Sequence, residues 1–93
     1  MSDGIAHWTT DHEQIRRWVE ERGGRPATVA TTADGDWPGI LRIDFPGHGD
    51  EEALEPIDWA AFFAKFEQEQ LAFTYEERTA SGEVSRFSKR IRR

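Results

Sequence analysis

An α+β fold is what this sequence predicts, and three features carry the prediction. Two amphipathic segments each open on a capping residue. Short runs of β-branched and aromatic residues follow each of them. Gly and Pro punctuate the junctions. The predicted order is α-β-β-α-β-β. The simplest packing is one antiparallel sheet with both helices on one face, in a single domain over residues 1–93.

The first helix is expected over residues 11–22. Thr10 and Glu13 have the spacing of a capping box, in which hydroxyl and carboxylate each satisfy the other residue's backbone N–H. Ile15, Trp18 and Val19 recur at helical spacing and face the core. Glu13–Arg17 and Arg17–Glu21 are i,i+4 pairs on the outer face. Gly23 and Gly24 stop the helix, which predicts a positive φ at Gly23. The run Arg22-Gly23-Gly24-Arg25-Pro26 also approximates an Arg-Gly-Gly box or the core of an AT-hook. Both motifs belong in basic, disordered surroundings, and a helix stop accounts for both glycines here.

A strand is expected at residues 28–32, a tight turn at Asp34-Gly35, and a second strand at residues 40–45. In that second strand Leu41, Ile43 and Phe45 share one face and Arg42 and Asp44 the other. Residues 50–56 read as an acidic connection. Asp58 then caps a second helix, with Ile57 placed as a hydrophobic staple on Phe62. Trp59, Phe62, Phe63 and Phe66 form an aromatic stripe along it. Residues 71–75 alternate as a third strand, Ser81-Gly82 reads as a turn, and residues 84–88 as a weaker fourth strand. Residues 1–9 read as a polar lead-in and residues 89–93 as a basic tail, both flexible. No internal repeat is visible.

Charge is unevenly spread. The chain carries a formal −6, yet residues 1–77 hold 6 basic and 17 acidic side chains and residues 78–93 hold 6 basic and 1 acidic. The acidic body repels nucleic acid and anionic membranes, while the basic end attracts them. There is no cysteine, which excludes disulfides and thiol chemistry and suits a reducing cytoplasm. No basic-then-apolar leader opens the chain, and no apolar run reaches the roughly 20 residues that span a bilayer, so the expected location is cytoplasmic with no membrane contact.

No catalytic pattern is present. His7, His12 and His48 lack the spacing of a metal site. Asp34-Gly35-Asp36 opens like a calcium loop, but the glutamate such a loop needs does not follow. The carboxylates of Asp50, Glu51, Glu52, Glu55 and Asp58 read as a solvated run. No nucleophile elbow or phosphate-cradling glycine motif occurs. The reading is therefore not an enzyme, with no cofactor. Exposed aromatics mark contact surfaces, and Trp37 and Trp8, outside the expected elements, are the candidate contacts for a protein partner. The same two residues are candidate sugar platforms for a glycan. The basic end, Arg86, Lys89, Arg90, Arg92 and Arg93, is the candidate contact for nucleic acid.

Three runs carry a family resemblance. They are Asp11-His12-Glu13-x-Ile15-Arg16-x-Trp18 through to Arg22-Gly23-Gly24-x-Pro26, then Gly39-Ile40-Leu41-Arg42-Ile43-Asp44-Phe45-Pro46-Gly47, and Trp59-x-x-Phe62-Phe63-x-x-Phe66 through to Leu71-Ala72-Phe73-x-Tyr75. Over nearly its whole length the chain resembles a family of small bacterial proteins whose members often carry the name 1,4-alpha-glucan branching enzyme. Branching itself needs a (β/α)8 barrel of roughly 200 residues or more. The resemblance therefore implies at most a noncatalytic accessory to glycan metabolism.

Overall fold

In the computed structural model, which describes residues 6–35, 37–47 and 53–93, the first helix begins one residue later than its capping box predicts. The N-cap is Asp11, whose carboxylate accepts from the N–H groups of Glu13 and Gln14. A carboxylate is the stronger acceptor at a positive helix end, so Asp11 displaces Thr10. Helix α1 runs His12–Glu21 and buries Ile15, Trp18 and Val19. Its outer ion pair is Arg16–Glu20, 3.6 Å, rather than the pairs built on Arg17. Gly23 stops it at φ 73°, as expected.

Strand β1 is Ala6–Thr9, which corrects the flexible lead-in for those residues. Residues 1–5 lie outside the described set. β2 is Arg25–Val29, and a 3-10 turn over Ala30–Thr32 replaces the second half of the expected strand. The Asp34-Gly35 turn is closed by paired backbone bonds between Asp34 and Trp37. β3 is Leu41–Asp44. Part of the acidic connection is strand β4, Leu54–Pro56, while Asp50, Glu51 and Glu52 lie outside the described residues. Asp58 caps helix α2, Trp59–Gln68, by accepting from the Ala61 N–H at 2.8 Å. β5 is Leu71–Glu76. The last strand, β6, is Ser88–Arg92, and Val84 makes only an isolated bridge to Arg78. The basic tail is therefore a strand. Its charged side chains flank backbone that pairs with β5 from Leu71↔Arg92 to Tyr75↔Ser88, and that pairing offsets the entropy of ordering a chain end.

The α+β architecture holds, with the strands divided between two three-stranded antiparallel sheets rather than joined in one. Their orders are β1-β5-β6 and β3-β2-β4. Ile15, Trp18 and Val19 of α1, Phe62 and Phe66 of α2, Leu41 and Ile43 of β3, and Phe73 and Tyr75 of β5 make one core.

The two additional strands reveal a duplication that the sequence conceals. β1-α1-β2-β3 and β4-α2-β5-β6 have the same element order. One offset along the chain relates the N-caps Asp11 and Asp58, and also the left-handed residues Gly23 and Gln70, at φ 73° and 54°. Each unit lends its first strand to the other, since β1 pairs with β5 and β4 with β2. The helices are tied in the same reciprocal way. His12, at the start of α1, meets Glu67 near the end of α2, and Trp59, at the start of α2, donates to Glu20 near the end of α1. Those equivalent ties, 2.6 Å and 3.2 Å, set the helices side by side in opposite directions. Between the two helices only Asp11/Asp58 and Glu20/Glu67 are identical at equivalent positions, so no repeat shows in the sequence.

Glu67 also accepts from Arg93 Nη2 at 2.8 Å. The His12 hydrogen bond, and then that from Arg93, hold its carboxyl below the ordinary value of 4.5. A carboxyl depressed in the folded state stabilises the fold above its unfolded pKa, and that contribution disappears as pH falls through the folded value. Urea midpoints should therefore fall on acidification below about pH 5, and Glu67→Gln should lose less on acidification than the parent chain. Equal loss in both would place the acid sensitivity elsewhere.

Candidate functional site

A cleft of about 500 Å³ opens between the outer strand of each sheet and the flank of α2. β3 and the residues before it provide Gly39, Ile40, Leu41 and Arg42 on one side, and β6 provides Lys89 and Arg90 on the other. Lys65 and Glu69 of α2 and Leu71 of β5 complete it. That size falls in the range of ligand clefts, roughly 300–1,000 Å³.

Local structure explains each placement. Gly39 is required by the approach of Thr32, whose backbone and hydroxyl fill the space a Cβ would occupy. The Thr32 hydroxyl donates to Val29 O at 2.7 Å and accepts from the Ile40 N–H at 2.9 Å, which pins the start of β3. Lys65 is one turn beyond Phe62 on α2, beside the buried stripe, and pairs with Glu69 at 3.7 Å. Arg90 pairs in register with Phe73, so its side chain rises on the core-facing side of its sheet, while Lys89 pairs with Thr74 on the outer side.

Four cations and one carboxylate line this cleft in a chain whose formal charge is −6. Burial, and then the charge of Arg42, lower Arg90 from 12.5 to about 10, so it remains charged at neutral pH. Two guanidiniums thus oppose one another in partly buried surroundings. Guanidinium forks suit carboxylate or phosphate oxygens.

Of the residues expected at contacts, Lys89 and Arg90 enter the cleft. Trp37 stands beside it, its ring 5.8 Å from Lys65 Nζ. Trp8 does not belong to it. Trp8 lies on β1, in the cross-strand row Trp8–Thr74–Lys89, with β5 between it and β6, and is 58% exposed. Arg86 is exposed in the loop before β6, and Arg92 is exposed on β6. Arg93 is structural, donating to Leu71 O and to Glu67 at 2.7 and 2.8 Å.

Sequence reasoning missed Arg42 and Lys65, which a solvated outer face accounts for equally well. It also missed the role of Arg22. The Arg22 side chain is 5% exposed, lies 4.5 Å over the Trp18 ring, and donates to the carbonyls of Ser85, Trp18 and Glu77. It fastens the loop between β5 and β6 onto α1.

Among the described residues no group of three or more His, Asp or Glu is placed to hold a metal. No helix among them is long and apolar enough to cross a membrane. No family model, curated protein or solved structure compared with the chain matches it.

Proposed function

We propose that this chain is a non-catalytic binding domain that acts through a protein partner and takes an acidic segment of that partner into the cleft between β3, α2 and β6. The observation that carries the reading is the collection of Arg42, Lys65, Lys89 and Arg90 around one concavity of an acidic molecule. Charge complementarity of this kind steers association and rejects wrong partners. The apolar lining of Ile40 and Leu71 adds contact area for the segment's aliphatic parts. The excess of acid over the rest of the chain disfavours a nucleic-acid strand longer than the cleft. A binding role also agrees with the lining chemistry, because its one hydroxyl, Thr32, is already engaged on both sides.

The test is affinity capture with the parent chain and with the double variant Lys65→Glu/Lys89→Glu, followed by mass spectrometry of what is retained. One stoichiometric protein, released by raised salt and lost with the double variant, is the expected result. Capture unchanged by charge reversal, or retention of nucleic acid or glycan in place of protein, overturns the reading.

A further inference from the structure

The duplication explains why the cleft is open. Trp18 and Lys65 stand at equivalent places, the same number of residues beyond the N-caps Asp11 and Asp58. The strands beside them correspond as well. Val29 N donates to Ile40 O in one sheet, and Glu76 N donates to Phe87 O at the equivalent positions of the other.

In the first unit the Trp18 indole fills the space between α1 and β5. It is 3% exposed, and its ring N–H donates to Glu76 O at 3.0 Å. Its ring lies 6.1, 5.7 and 5.5 Å from those of Phe45, Phe73 and Tyr75. In the second unit Lys65 takes the place of Trp18, and Arg92, Pro26 and Thr28 take the places of Phe45, Phe73 and Tyr75. Protein interiors are close-packed, so exchanging four rings for slimmer side chains leaves room. Lys65 lines that room, and Leu71, in the place of Gly24, gives it an apolar wall.

The charges complete the site. An ammonium favours the face of a ring, and that of Lys65 already lies 5.8 Å from the Trp37 ring. On the opposite wall Lys89 and Arg90 form no ion pair among the described residues, and Arg90 Nη1 donates to Ser88 Oγ at 3.0 Å. The ring needs no donor of its own. The counterpart of the Glu76 carbonyl is that of Val29, which already accepts from the Thr32 hydroxyl.

We infer that the acidic segment carries a phenylalanine whose ring enters the cleft at Lys65, in the place that Trp18 fills in the first unit, with a neighbouring carboxylate on Lys89 and Arg90. The inference rests on the reading of the cleft as an acidic-segment site. The ring supplies buried apolar area, and the carboxylates supply steering and register.

Two acetylated and amidated pentapeptides serve as probes for calorimetric titration of the full chain, Glu-Glu-Phe-Glu-Glu and the same peptide with alanine at its centre. The phenylalanine peptide should bind saturably and roughly tenfold or more tightly than the alanine peptide. Its ring current should shift the methyl resonances of Ile40 and Leu71, and the alanine peptide should not. Lys65→Trp copies the first unit and closes the cleft, so it should fold and abolish the preference for phenylalanine. Lys65→Gln removes the charge without closing the cleft, so it should weaken both peptides and retain the preference. Equal binding of the two peptides overturns the aromatic site while leaving the acidic-segment site intact. No saturable binding of either overturns both. A preference that survives in folded Lys65→Trp, or methyl shifts that spare Ile40 and Leu71, places the ring elsewhere and overturns the inference. Phenylacetate binding as tightly as the phenylalanine peptide overturns it in favour of a free aromatic acid.

Discussion

Replacing Phe62 or Phe66 by alanine should lower folding stability by about 3–5 kcal/mol, the usual result of truncating a buried phenylalanine. Both side chains are 0% exposed and belong to the core formed by α1, α2, β3 and β5. Phe62 packs edge-on to Trp59 at 5.2 Å, and Phe66 meets the His12 ring edge-on at 5.9 Å. Each truncation leaves a hole bounded by elements of both units, and neither unit can close it alone. Denaturant unfolding of each variant measures the loss. A value under about 1 kcal/mol would move the residue to a surface. Phe63, half-buried and stacked flat on the His12 ring at 4.0 Å, should lose less.

Deleting residues 89–93 should have an effect at least as large. A free basic tail would be dispensable. β6 is instead the outer strand on β5, and the deletion removes the pairs from Leu71↔Arg92 to Thr74↔Lys89. It also removes the Arg93 guanidinium from Leu71 O, from Glu67 and from the Phe66 ring, which it approaches to 5.7 Å. β5 then keeps only β1 beside it, and buried Phe73 comes to lie next to an open edge. The melting temperature should drop by more than about 10 °C, on the scaling of about 4–8 °C per kcal/mol for a domain this small. A change of only a degree or two would return these residues to the status of a tail. Arg92→Ala, on an exposed side chain, should leave stability nearly unchanged and separates loss of the strand from loss of charge.

The local elements were legible because their signals are local. Helix α2 follows from Asp58 and the spacing of Trp59, Phe62 and Phe66, and the end of α1 follows from Gly23. The alternation of Leu71, Phe73 and Tyr75 against Ala72 and Thr74 marked β5. β1, β4 and β6 carry no comparable pattern. Each is short or charged, lies at the outside of a sheet, and is a strand because of the partner it pairs with. Arg90 and Arg92 read as tail from composition, since nothing in their own neighbourhood announces that residues 71–75 will pair with them.

By itself the sequence determined the α+β class, the two helices with the Asp58 cap and the Gly23 stop, the apolar faces of Ile15, Trp18, Val19, Phe62 and Phe66, and the asymmetry of charge. Those depend on periodicity, capping and composition, which act within a few residues. The tertiary structure decided the division into two sheets, the exchange of first strands between the two units, and the tie of His12 to Glu67 opposite that of Trp59 to Glu20. It also decided the cleft. Arg42, Lys65 and Arg90 are far apart along the chain and ordinary in their local settings. They converge because β3 and β6 are both outer strands, and pairing at long range, rather than any local preference, puts them there.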